Sequence, residues 1–343
     1  MQIKEIYFIR SISCICVMLI HAIGILGFQS ESSSYSIFLM FSTPSFIFIS
    51  EFLIAHSYPN GIPKGFLRKR FQFIFLPFVS VGILDAILMT INQSKGGSIY
   101  EFFSRVSSNI FLGNFVGYFV LVIFQFYILH ILFHRVLKKI SPKWILPISF
   151  FVTISYLCSI QFFHFPISLP NPHILAEWIP FPAWLFYFCL AYYCGKNYLE
   201  FINLLNRFRY GIYLLLLISI ALISSYTFLD LFEPSSKRPD VVLYTTSIVF
   251  LFFHLFSKVQ KIPSIVMLIS KYSFSIYLFH GYFLGIALLV LPNIKNSHWL
   301  VALITISLIS VSSSILTSFL VNRYKYGYIF VGKVNQPKAQ KYS

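Results

Sequence analysis

IYFIRSISCICVMLIHAIGILGF, residues 6–28, is an apolar run broken by one arginine near its start and one histidine near its end. As an α-helix it is long enough to span a hydrocarbon core, which needs about 20 apolar residues. Arg10 and His21 are eleven residues apart, about three turns plus ~20°, so both project from one helix face. The rise between them is ~16 Å at ~1.5 Å per residue. That is too far for a hydrogen bond and about half a bilayer core. A cation and an imidazole in a membrane helix are costly to place and mark a functional site by default. The structural alternative makes Arg10 an anchor at the membrane edge and His21 a hydrogen-bonding group against a neighbouring helix.

The rest of the chain repeats the theme. Of its 343 residues, 57% are hydrophobic and 10% charged, and the mean hydropathy is +0.78. Repeated apolar runs of this length satisfy their backbone in lipid only as helices, so the expected fold is an all-α polytopic membrane bundle. The first run exceeds a signal-peptide core and lacks a convincing small-residue cleavage site, so it is expected to remain as the first span. Ten spans are expected: Ile6–Phe28, Tyr35–His56, Phe71–Ile91, Phe111–Phe133, Trp144–Phe163, Trp178–Gly195, Tyr210–Phe228, Val241–Ser257, Ser273–Leu291 and Trp299–Val321. Trp144, Trp178 and Trp299 sit at span ends, as in interfacial aromatic belts.

Ten spans place both termini on one side. With the N-terminus in the cytoplasm, only Lys95, Arg105, Lys237, Arg238 and Lys295 of the 26 Lys and Arg face outward. The positive-inside rule therefore predicts cytoplasmic termini. The net charge of +16 is then topological and not a nucleic-acid surface, because it sits in short loops between apolar runs. Residues 1–331 form one expected membrane domain, and 332–343 a basic, disordered cytoplasmic tail near anionic headgroups. The outward segments Asn92–Ile110, His164–Glu177 and Leu229–Asp240 are either plain connectors or covers for a cavity mouth. Cys14, Cys16, Cys158, Cys189 and Cys194 lie in or beside apolar runs without zinc-ligand spacing. No histidine has a partner at metal-ligand spacing, so no metal site is expected.

Three further groups could carry chemistry. Arg68-Lys69-Arg70 could hold phosphates at the start of the third span, arginine by planar forks and lysine as a point charge. Composition alone favours ordinary membrane anchoring for them. Ser273, Tyr277 and His280 share a face of the ninth span, either beside a cavity or in interhelical hydrogen bonds. Glu51, a carboxylate in the second span, needs a cation or a proton, and Arg10 is a candidate partner. A structural ion pair ranks above a catalytic acid there.

Arg10 and His21, with ten residues between, resemble the first-helix signature of the membrane acyltransferase family 3 proteins. Lys69-Arg70 with Pro77 is similar to that family's basic segment before the third helix. The run Ser273-Phe274-Ser275-Ile276-Tyr277-Leu278-Phe279-His280 resembles its late Tyr-Leu-x-His element. Thr43-Pro44-Ser45-Phe46-Ile47, Gly117-Tyr118-Phe119 and Trp184-Leu185-Phe186-Tyr187-Phe188 are similar to the branch represented at the staphylococcal intercellular adhesin locus. Ser50-Glu51 departs from the Ser-Gly of many members.

The resemblance implies a multi-pass O-acyltransferase of a bacterial plasma membrane. It would move an acetyl or succinyl group from cytoplasmic acyl-CoA, its donor substrate and not a resident cofactor, to a sugar hydroxyl of an envelope glycan or exopolysaccharide. It implies His21 as general base and Arg10 as a holder of donor phosphate or charge balance. Arg68, Lys69 and Arg70 would meet the CoA phosphates, with Tyr277 and His280 lining the donor cavity beside the polar Glu51 and Ser273. A competing expectation is an exporter of polysaccharide with Arg10, Glu51 and His21 along its path. A third is a structural partner of a polysaccharide synthase.

Overall fold

The computed structural model describes residues 3–27, 35–92, 98–162, 180–232 and 234–334. All regular structure among them is helical. The helices are α1 (Lys4–Leu26), α2 (Ser42–Ser57), α3 (Phe66–Ile91), α4 (Ile99–Leu112), α5 (Tyr118–Lys139), α6 (Pro142–Phe162) and α7 (Leu185–Lys196). They continue as α8 (Tyr198–Arg207), α9 (Arg209–Phe228), α10 (Pro239–Phe256), α11 (Ser264–Val290), α12 (Trp299–Val321) and α13 (Tyr328–Val331). Nine helices among the described residues are long and apolar enough to cross a bilayer, so the protein is a polytopic α-helical membrane protein.

α1 is the hub. It packs against α2, α10, α11 and α12, and its residues are largely buried. The α1–α11 pair runs parallel, because its contacts advance together along both helices. Ser11 Oγ donates to Val266 O at 2.7 Å, Cys14 Sγ approaches Ser273 O at 3.7 Å, and the rings of His21 and His280 meet further along. Small serines permit this close approach, as is usual where helices pack in lipid.

The sixth expected span, Trp178–Gly195, begins outside the described residues. From Phe181 it is a 3₁₀ turn, Phe181–Trp184, leading into the short and almost wholly buried α7. It is wedged between α2 and α6. Gly195 makes the fit with α2 possible: a Cβ there would lie 2.3 Å from Phe52 O. The segment His164–Glu177 and residues 335–343 of the tail lie outside the described residues.

The structure corrects several boundaries: the ninth span begins as α11 at Ser264 rather than Ser273, and the fourth runs on to Lys139 rather than Phe133. Asn92–Ile110 is not a bare loop, since it contains α4, started by a capping box in which Ser98 Oγ accepts from Glu101 N–H and Glu101 Oε2 accepts from Ser98 N–H. The fourth span then begins at Tyr118 rather than Phe111. Gly113, at φ 60°, ends α4, and a Cβ there would lie 2.6 Å from Tyr118 Cα. An apolar sequence running through residues 111–119 conceals that break.

α3 carries a π-helical turn at Phe71–Phe75, with Leu76 N–H bonded to Phe71 O. Pro77 explains it. Proline has no N–H for the carbonyl four residues back and its ring crowds that carbonyl, so the turn widens to an i→i−5 pattern.

Leu229–Asp240 is pinned from within the bundle. Arg238 is fully buried, giving Nε–H to Asp240 Oδ1 at 3.0 Å and Nη2–H to Oδ2 at 2.6 Å. It also donates to Thr227 Oγ1. Arg238→Ala leaves Asp240 buried and unpaired, which costs about 3–5 kcal/mol. The expected result is a clear drop in the melting temperature of the detergent-purified protein. An unchanged melting temperature would show that the pair adds nothing to stability.

Candidate active site

Two clusters lie along the α1 face that carries Arg10 and His21. The first is basic and aromatic. Arg70, at the end of the opening α-helical segment of α3, lies over the Phe66 ring at 4.9 Å and the Tyr127 ring at 5.6 Å. Arg10, Arg70 and Tyr127 are within electrostatic reach of one another. Arg70 alone of the two lies over aromatic faces, and guanidiniums of this kind suit phosphate, which arginine binds by planar forks. Arg68 and Lys69, by contrast, are exposed. They add positive charge near the pair without sharing its enclosure.

The second cluster is a pair of imidazoles. His21 and His280 have ring centroids 4.8 Å apart, tilted by 53°. His280 is fully buried, and its Nδ1 lies 2.8 Å from Tyr277 O and 3.1 Å from Ile276 O. Carbonyls only accept, so Nδ1 carries a proton and the neutral ring has its lone pair on Nε2. Nε2 is buried without a hydrogen-bond partner. His21 is exposed on its helix face. An exposed imidazole beside an oriented one with an unused lone pair is an arrangement that can pass a proton.

The other expected residues separate. Tyr277 donates to Val116 O, and its ring lies 6.4 Å from that of His280. Ser273 is buried and donates to Ser270 O in its own helix. Glu51 is not paired with Arg10. His130 Nδ1 and Glu51 Oε1 share a hydrogen bond at 2.6 Å, with both side chains buried. The reason is packing: α2 and α5 meet at Glu51 and His130. The pair is an interhelical tie. His130 lies near the cytoplasmic end of the expected fourth span, where its sequence neighbours offer no sign of a partner on α2.

A cavity of about 850 Å³ lies between α3, α4 and α11. Asp85, Ser104, Asn109, Phe115, Gly281 and Tyr282 are in its wall. Neither Tyr277 nor His280 lines it, although Gly281 follows His280 directly and Val116, which holds Tyr277, is also in the wall. Asp85 is a wall residue to which the motifs above assign no role. A lone carboxylate within an apolar span, Ile83-Leu84-Asp85-Ala86, was the available signal. Among the described residues, no cluster of His, Cys, Asp and Glu is suited to hold a metal ion.

These features describe a polytopic α-helical membrane bundle with an arginine pair and a histidine pair along one face of its first helix. The family model for an acyltransferase domain matches residues 3–323, and the chain belongs to the membrane acyltransferase family 3. It is 48% identical over 359 residues to "Putative membrane-bound acyltransferase YfiQ" of Bacillus subtilis, covering 99% of this chain and 97% of that protein. It is 25% identical over 346 residues to a "Probable poly-beta-1,6-N-acetyl-D-glucosamine export protein" of Staphylococcus aureus, covering 95% of each. A protein of the same name from Staphylococcus epidermidis is 25% identical over 341 residues, covering 95% of this chain and 93% of that one. No solved structure matches the chain.

Proposed function

We propose that this acyltransferase moves an acetyl or succinyl group from acyl-CoA to a sugar hydroxyl of an envelope glycan or exopolysaccharide, in a bacterial plasma membrane with both termini cytoplasmic. The observation that carries the reading is the placement of an arginine pair and a histidine pair along one face of α1. Arg10 and Arg70 take the CoA phosphates, with exposed Arg68 and Lys69 adding charge at the mouth. Tyr277 and His280 wall the site at the depth of His21. His21 takes the proton from the acceptor hydroxyl as its oxygen attacks the thioester carbonyl. The C–S bond breaks, the acyl group passes to oxygen, and the CoA thiolate leaves with that proton. An imidazole nitrogen can accept that proton and return it within one cycle. Glu51 stays outside the chemistry as the partner of His130, and Ser273 serves the α1–α11 contact.

The printed name of the staphylococcal relatives favours a second reading, export of the glycan. Proteoliposomes loaded with labelled acetyl-CoA and supplied with the glycan on the opposite face separate the two. Acyl transfer predicts CoA release and label on the glycan. Glycan crossing the bilayer without label, and without CoA release, would establish the exporter instead.

Arg70→Lys keeps the charge that sets topology but loses the flat guanidinium stacked on Phe66 and Tyr127. Acyl-CoA binding should weaken about tenfold, with membrane insertion unchanged. The double replacement of Arg68 and Arg70 by lysine should add little, because Arg68 is exposed. Equal affinity in the Arg70→Lys protein would make Arg70 an anchor only.

A further inference from the structure

We infer that the cavity between α3, α4 and α11 is a saccharide-binding site in which Asp85, braced by Asn109 and Tyr282, accepts hydrogen bonds from sugar hydroxyls. The inference rests on the acyl-transfer reading only in making this the acceptor's site.

The brace is specific. Asn109 is buried and gives both amide protons away, one to Asp85 Oδ2 and one to Gly82 O, each at 2.9 Å. Tyr282 gives its proton to Asp85 Oδ1 at 3.0 Å. A carboxylate has about four lone-pair sites, and these two donors use two of them. The remaining lone pairs of Asp85, with the oxygen of Tyr282, make this end of the cavity rich in acceptors. Such a surface selects ligands that donate, and vicinal sugar hydroxyls do so in pairs.

The rest of the wall suits the other side of a sugar. Phe115 lies within the cavity, and Tyr100 and Phe103 stand exposed at its edge on α4. Flat aromatic faces pack against the C–H face of a pyranose ring while the hydroxyls reach the polar end. The volume falls in the range of about 300–1,000 Å³ usual for small-molecule sites. Its placement suits an acceptor. α3 carries Arg70 near its start and Asp85 fifteen residues later, a rise of ~22 Å. The cavity therefore lies toward the opposite end of the bundle from the arginine pair, and its wall continues into the residue after His280.

The test uses the full chain in lipid nanodiscs, with a short β-1,6-linked N-acetylglucosamine oligomer as probe. Saturable binding is expected, weakened about tenfold or more by Asp85→Ala. Tyr282→Phe, which removes one hydroxyl, should weaken it less. Ser107→Trp enters the cavity from an exposed position outside the brace and should abolish binding. Acyl-CoA affinity should be unchanged in all three variants, which also reports that they are folded. No saturable binding by the parent, or equal binding by parent, Asp85→Ala and Ser107→Trp, overturns the site. Loss of binding in the variants from a parent that never releases CoA supports the site and removes the acyl-transfer reading. A labelled glycan formed with the parent's acceptor KM by Asp85→Ala and Ser107→Trp does the reverse.

Discussion

His21→Gln is expected to lower acyl transfer by about 10²–10⁴-fold, the usual range for loss of general acid–base catalysis. Glutamine keeps a hydrogen-bonding side chain of similar reach but cannot take up a proton near neutrality. The loss should therefore fall on kcat, with acyl-CoA affinity, membrane insertion and melting temperature close to the parent's. His21→Ala should be equally inactive. The site geometry motivates the expectation: His21 is exposed and its ring meets that of the buried His280, whose Nδ1 is fixed by backbone carbonyls. A glutamine protein that kept most of its activity would make His21 a structural hydrogen-bonder.

His280→Phe should be the next most damaging change, at about 10²-fold in kcat. Phenylalanine retains a ring in the buried space beside His21 but deletes the Nε2 lone pair. It also deletes the Nδ1–H that is held by the carbonyls of Ile276 and Tyr277. If His280 acts by orienting His21, the KM for acyl-CoA should hold while kcat falls, and the alkaline or acid limb of the pH–rate profile should move. If the ring only fills space, the phenylalanine protein should keep the parent's kcat and pH profile.

The fold was legible to the extent that bilayer physics controls it. Apolar run length predicts the nine long helices within a few residues at most ends, because lipid leaves the backbone no alternative to the helix. Where local chemistry decides, reading the apolar pattern was insufficient. Gly113 cuts an apolar stretch that looks continuous, and the Ser98–Glu101 capping box starts a helix within a segment that reads as a polar loop. Pairing across the bundle was less visible still. Glu51 needed a partner, but whether Arg10 or His130 supplied it depends on which helix faces α2, a tertiary choice with no local signature. His21 and His280 each stood out as polar groups in lipid-length helices, while their meeting depended on α1 and α11 running parallel and in register. Asp85 shows the converse, a signal present in the sequence whose braces, Asn109 and Tyr282, come from two other helices.

The central claim is that this chain places acyl groups on a surface glycan through His21. Mass spectrometry of surface glycan from cells lacking the chain, rescued with either the parent or His21→Gln at equal membrane abundance, tests it most directly. The account predicts acylated sugar residues only in the parent rescue, with glycan still present at the surface of the His21→Gln cells. Acyl content identical in both rescues, or surface glycan lost without any change in its acylation, would contradict it.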